Sequence, residues 1–236
     1  MPAERARVGT RALSRRFVEL SHPIAAGMTT YPGLPGPSIS DFLSRAASRE
    51  RYAPGTSFQI GRVDMVANTG TYVDAPFHRF EEKTDIAGLA LERLADVEGV
   101  VVDAADRTDP AIGGDRFAGR QLSGKAVLVR TDWARHWGTP AYFERHPFLT
   151  RPAAERLVAA RPSLVGIDSL NIDDTGDGER PAHTLLLDAG IPILEHLCNL
   201  AALPPSGFRL HAVPAPFRGM GSFPVRAYAV IGPDRR

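Results

Sequence analysis

The chain holds a single cysteine, Cys198, in 236 residues. That excludes an intrachain disulfide and a cysteine metal cluster, and the apolar surroundings of Cys198 mark it as a small core residue. An excess of charge is missing as well. The 28 basic and 27 acidic side chains nearly cancel, which leaves no electrostatic footprint for nucleic acid or an anionic membrane. No window approaches the roughly 18 apolar residues of a membrane span. The arginine-rich start (Arg5, Arg7, Arg11, Arg15, Arg16) lacks the apolar run of a twin-arginine leader, because Glu19, Ser21 and His22 interrupt it. A cytoplasmic protein is expected, with residues 1–16 as a flexible N-terminal arm. There is no G-x-G-x-x-G opening a helix after a strand, no P-loop and no G-x-S-x-G elbow. Internal repeats and low-complexity linkers are also absent, so residues 17–236 read as one domain.

What is present is enough for a core: 43% hydrophobic and 23% charged residues argue against disorder. The segment running from Asn68 through Gly70, Tyr72, Asp74 and Pro76 to His78 stands out. Ser57 to Val66 ahead of it carries Phe58, Ile60, Val63 and Met65 in loose alternation, a strand with a bulge near Gly61 and Arg62. A carboxylate and an imidazole then fall on a Gly/Pro-shaped turn at a strand end, a common place for reactive groups. A turn whose Asp74 caps backbone N–H groups and whose His78 is a satisfied partner is the plainer alternative.

The remaining elements follow from periodicity and punctuation. Phe17 to Leu20 reads as a strand and Gly27 to Pro37 as a loop, in which Tyr31 is placed either to line a pocket or to pack on the surface. Ser40 to Arg51 has a polar helical look with Ser40 as N-cap, and Asp85 to Leu94 a short helical pattern. Val100–Val102, Lys125–Thr131, Leu164–Ile167 and Ile191–Leu194 are apolar runs that predict buried strands. Thr150 and Pro152 open the clearest helix, and Ala182–Asp188 forms a shorter one, with Gly190 just past its end. Asn171 to Pro181 reads as a solvated loop whose aspartates lack EF-hand spacing. Two strands, Phe208–Val213 and Phe223–Ile231, close the chain. Buried runs alternating with helices, with β-rich ends, predict an α/β domain around a mixed, partly barrel-like sheet flanked by helices. His136 and His146 read as surface or packing residues, His22 and His211 as hydrogen-bonded core residues or as pocket lining. Trp133, Trp137 and Phe77 suit either an aromatic ligand or the core.

The frame Asn68-Thr69-Gly70-Thr71-Tyr72-Val73-Asp74-Ala75-Pro76-Phe77-His78 resembles the H-x-G-T-H-x-D-x-P-x-H signature of the cyclase-like metal-dependent hydrolases, which include bacterial kynurenine formamidases and isatin hydrolases. Leu20–Pro23, Tyr31–Gly33, Gly166–Ser169, His183 and Ile193–Glu195 extend the resemblance along most of the chain. It implies the swivelling β/β/α fold of that family and hydrolysis of a C–N bond in a small, aromatic amide, formamide or lactam. It implies Asp74, His183 and Glu195 as metal ligands and His78 as the catalytic proton shuttle. Asn68 and Tyr72 stand where the family has two metal histidines; an amide and a neutral phenol are poor ligands. One divalent ion, zinc or manganese, is thus left for Asp74, His183 and Glu195, or no metal at all. Asn68, Tyr72, Tyr31 and Arg79 become substrate contacts, Arg79 as a carboxylate fork. Without a metal, Asp74, His78 and Glu195 would serve a cyclisation, dehydration or isomerisation, or the pocket would only bind a small molecule. The resemblance also implies a homodimer or homotetramer, with the N-terminal loop reaching toward a neighbour's site.

Overall fold

The computed structural model describes residues 15–232. Residues 1–14 of the expected N-terminal arm lie outside that range, and Arg16 already opens the first strand. In chain order the elements are β1 (Arg16–Glu19), β2 (Ser38–Leu43), α1 (Arg45–Arg49), β3 (Ile60–Asp64), β4 (Tyr72–Asp74), β5 (Val97–Asp103), β6 (Ala111–Ile112), β7 (Ala126–Arg130), β8 (Phe148–Leu149), α2 (Arg151–Ala160), β9 (Leu164–Ile167), α3 (Pro181–Asp188), β10 (Ile193–Glu195), β11 (Ser206–His211), β12 (Ser222–Pro224) and β13 (Tyr228–Ile231). Nine strands make one curled mixed sheet in the order β1-β13-β11-β5-β7-β9-β10-β4-β12. Its centre, β5-β7-β9-β10, is parallel and both wings are antiparallel. The expected single α/β domain with a mixed, half-barrel sheet is the architecture found. No helix among the described residues is long and apolar enough to cross a membrane.

The central strands are apolar throughout because both faces are covered. Along β7, Ala126 and Leu128 enter one core with Val73, Leu194 and Phe208. Val127 and Val129 enter a second core with Leu157 of α2 and Leu186 of α3. This is the period of two that a strand imposes. β5 is longer than its apolar run suggests, since Gly99 and Glu98 continue it. Gly99 is required there: a Cβ would sit 2.0 Å from the Phe208 ring.

Several expectations are corrected. Residues 40–51 are not one helix. β2 occupies their first part, and the short α1 is capped by Ser44, whose hydroxyl accepts from the Ala47 N–H at 3.2 Å. The bulge expected near Gly61 lies instead on the partner strand, at the register shift between Asp41 and Leu43. Asp85–Leu94 forms two single 3₁₀ turns, the first capped by Asp85. Thr150 does not cap α2 with its side chain; its hydroxyl donates to the Ile112 carbonyl. Phe223–Ile231 is broken into β12 and β13. β2 and β3 stand apart as an antiparallel ribbon whose apolar side chains Ile39, Phe42, Ile60 and Val63 are exposed.

Candidate active site

Register does most of the positioning. On β4, Val73 enters the core, so Tyr72 and Asp74 share the opposite face. Pairing sets Glu195 of β10 opposite Tyr72, and Ser222 of β12 opposite Asp74. Beyond β4, Pro76 starts a 3₁₀ turn that ends at His78. Gly221 packs against that turn so closely that a Cβ would lie 2.5 Å from the His78 Cα. Gly70 turns the chain into β4 with φ of 66°, and its N–H donates to Thr30 Oγ1 at 2.8 Å.

His183, in the first turn of α3, is the hub. Its Nδ1 is 2.7 Å from Asp173 Oδ2. Its Nε2 lies 3.6 Å from Asp74 Oδ2 and 3.7 Å from Glu195 Oε1. Asp173 also accepts the backbone N–H groups of Ala182 and His183, at 2.6 and 2.9 Å. It therefore supplies from a distant loop the cap that Arg180 does not give α3. Burial disfavours a charged imidazole, but the hydrogen bond to Asp173 and the nearby Asp74 and Glu195 carboxylates outweigh it, pushing His183 up to about 10. Burial likewise pushes Glu195 up, to about 7, with the Asp74 charge adding to the rise. Glu195 accepts from the Ile172 N–H at 2.7 Å and the Tyr72 hydroxyl at 2.6 Å. Asp74 is fully buried; the nearby His78 and His183 imidazoles and the hydrogen bond from Ser222 overcome its desolvation and keep it below the ordinary carboxylate value. Its Oδ2 has no hydrogen-bond partner.

A second hub is the Ser222 hydroxyl. It donates to Asp74 Oδ1, lies 3.0 Å from His78 Nδ1 and accepts from Asn68 Nδ2 at 3.2 Å. An ionised carboxylate can only accept, so the single hydroxyl proton goes to Asp74 and His78 Nδ1 must donate to the oxygen. His78 is thereby held with a proton on Nδ1, and Nε2 is the ring nitrogen left free.

These groups border a cleft of about 530 Å³ lined by Tyr31, Leu34, Asn68, Tyr72, His78, Arg79, Arg180, His183 and Glu195, among others. All but one of the residues expected at the site thus border one cavity. Asp74, with no exposed surface, stands immediately behind. Trp133, Trp137 and Phe77 do not border it; Trp137 stacks on His22. Asp74, His78 and His183 each offer a ligand atom, all within 4.8 Å of one another. The sequence reading missed Asp173, Ser222 and Arg180. The loop holding Asp173 looked solvated, yet Asn171, Ile172 and Asp173 are buried. Ile172 between polar neighbours was the available signal. Ser222, a lone serine in a Gly/Pro-rich tail, gave none.

A curled mixed sheet that gathers carboxylates and imidazoles at one cleft is the arrangement of an amide-hydrolysing enzyme of the cyclase type. The chain belongs to the cyclase family: the family model described as "Putative cyclase" matches residues 18–174. It is 30% identical over 213 residues to the kynurenine formamidase of Geobacillus thermodenitrificans (strain NG80-2), covering 89% of this chain and 95% of that protein. Against the kynurenine formamidase of Salinibacter ruber (strain DSM 13855 / M31) it is 27% identical over 225 residues, covering 92% and 99%. Isatin hydrolase A from Labrenzia aggregata shares the fold, with a TM-score of 0.80 at 22% identity over 93% of this chain and 94% of that one.

Removing Asp173 leaves His183 unclamped and α3 uncapped. Asp173→Ala is expected to cost about 3–5 kcal/mol, the range for breaking a buried pair, while the exposed Asp174→Ala costs less than about 1 kcal/mol. Urea unfolding of both variants checks this; equal small losses would remove the clamp.

Proposed function

We propose that the protein hydrolyses the C–N bond of a small aromatic amide, formamide or lactam, with one divalent ion, zinc or manganese, on Asp74, His183 and Glu195. The observation that carries the reading is the trio of donor atoms, Asp74 Oδ2, His183 Nε2 and Glu195 Oε1, with His183 Nε2 3.6 and 3.7 Å from the two oxygens. Ligands at about 2.1 Å in a tetrahedral shell stand roughly 3.4 Å apart, close to both distances from His183 Nε2, and Asp74 and His183 also share with His78 a set of ligand atoms within 4.8 Å of one another. Asp74 Oδ2 is a buried acceptor without a partner, and the Asp173 carboxylate on His183 Nδ1 is the usual orienting contact of a metal-binding histidine. Among the described residues a second ion has no equivalent site. Burial and the Glu195 and Asp74 charges raise the Tyr72 phenol well above its ordinary value and keep it neutral.

The ion would polarise the carbonyl and lower the pKa of an attacking water. The other steps belong to the chain. His78, with Nδ1 committed to Ser222, takes a proton on Nε2 and returns it to the leaving nitrogen as the C–N bond breaks. Asn68, Tyr72, Tyr31 and Arg79 line the cleft as substrate contacts. The enzyme acts in the cytoplasm as a homodimer or homotetramer, without nucleic-acid or membrane partners. A second copy of the chain covers the β2–β3 ribbon, where Phe42 is 73% exposed.

His78→Gln keeps a hydrogen-bonding side chain but cannot cycle a proton. On a panel of aryl formamides and cyclic amides with zinc or manganese, kcat is expected to fall about 10²–10⁴-fold, with KM and metal content retained. A variant as active as wild type removes His78 from the mechanism; one that also loses metal makes His78 a ligand. For the assembly, sedimentation of Phe42→Asp/Ile60→Asp is expected to show a shift to monomer; an unchanged oligomer removes the ribbon from the interface.

A further inference from the structure

Resting on the reading of the cleft as the site of amide hydrolysis, we infer that Asn171 is a further catalytic residue: its side-chain N–H groups bind the carbonyl oxygen of the scissile amide and stabilise the charge that develops there. Asn171 lines the cleft and keeps 7% of its surface exposed. Its Oδ1 accepts twice, from the Asp173 N–H at 3.0 Å and from Arg180 Nη1 at 3.2 Å. A flipped amide would set its NH2 group against two donors, so these contacts fix which end is oxygen. Among the described residues Nδ2 has no hydrogen-bond partner, and it is not sealed in the interior. Two N–H bonds are thus offered to whatever enters the cleft.

The donors that touch the acid–base cluster are already committed. The single Tyr72 hydroxyl proton goes to Glu195 Oε2 at 2.6 Å. Asn68 Nδ2 gives one N–H to Ser222 Oγ at 3.2 Å, and Ser222 gives its own proton to Asp74. His78 holds Nδ1 against Ser222 and keeps Nε2 for the proton that goes to nitrogen. Of the two amides in the lining, Asn171 is the one with both N–H bonds unused.

Asn171 is also placed and stiffened for the role. Its neighbour Ile172 donates its N–H to Glu195 Oε1 at 2.7 Å, and Asp173, two residues on, holds His183 Nδ1 at 2.7 Å. The loop is thus pinned to two members of the cluster, with Asn171 at the cleft. The bond from the Asp173 N–H closes an Asx turn, and the Arg180 contact adds a second hold, so little reorganisation is left for the reaction. When water adds to the carbonyl carbon, the C=O π pair moves to oxygen and the Asn171 N–H groups meet the growing charge. The pair then returns to re-form C=O, the C–N bond breaks, and the nitrogen leaves with the proton from His78. The contact strengthens in the transition state, so Asn171 acts on kcat more than on KM.

Two variants separate donation from anchoring. Asn171→Asp keeps an oxygen for the Asp173 N–H and Arg180, but removes the donors and adds a charge. Asn171→Leu keeps the shape and neutrality and removes donors and anchor together; Asn171→Ala takes its place if it does not fold. On an aryl formamide with zinc or manganese, both variants are expected to lose about 10²–10³-fold in kcat, the worth of one oxyanion donor, with KM and metal content little changed. A loss in Asn171→Leu alone makes Asn171 an anchor, and a loss in Asn171→Asp alone reports only the added charge; either overturns the inference, as does a variant that loses its metal. If wild type hydrolyses no amide, the hydrolase reading fails separately. Calorimetric binding of an aryl phosphonamidate, whose tetrahedral oxygen carries the charge, and of the matching planar amide then decides the oxyanion site. A wild-type preference for the phosphonamidate that is lost in Asn171→Leu supports it; no preference, or the same preference in both proteins, refutes it.

Discussion

Three carboxylates, Asp74, Asp173 and Glu195, are buried around the imidazole of His183, and compensating that charge governs the architecture of the site. Removing an anion from water is tolerable only when hydrogen bonds or cations replace the lost hydration. Each carboxylate has its own replacement. Asp173 takes two backbone N–H groups at the start of α3, Glu195 takes one backbone N–H and a phenol, and Asp74 takes a serine hydroxyl. One acceptor, Asp74 Oδ2, is left over, facing the same space as His183 Nε2. The deficit is local, and in the proposed reading a divalent cation meets it.

The sheet makes that arrangement possible. β10, β4 and β12 lie side by side, and their register puts Glu195 against Tyr72 and Ser222 against Asp74. A slip of one residue would turn every one of these side chains to the opposite face. Through Ser222 the same cluster reaches His78 and fixes which of its nitrogens carries the proton. Charge compensation and the proposed proton transfer thus share one hydrogen-bonded network, and the tight approach of Gly221 to the His78 backbone keeps the two halves in contact.

Much of this was legible in the sequence for stated reasons. β7 and β9 are buried on both faces and show as uninterrupted apolar runs. The Asn68–His78 frame carried the family resemblance even with Asn68 and Tyr72 in place of histidines. Errors arose where local chemistry misled. Ser40 looked like an N-cap because a polar helical pattern follows it, but β2 pairs with β3 there and Ser44 is the cap. Asp173 sat among more exposed aspartates, and only the apolar Ile172 beside it sets it apart. Its role comes from α3 folding back over the loop, and that of Ser222 from a strand pairing across the whole chain. Partners of this kind belong to topology.

The central claim is that the buried cluster holds one divalent ion. Elemental analysis after equilibration with zinc or manganese and removal of excess ion tests it most directly, on folded wild type, Asp74→Asn, His183→Ala and, as a comparison, Asn68→Ala. The expected result is one equivalent of metal in wild type and in Asn68→Ala, with loss in Asp74→Asn and His183→Ala. Metal-free wild type, or equal metal in all four proteins, would contradict it.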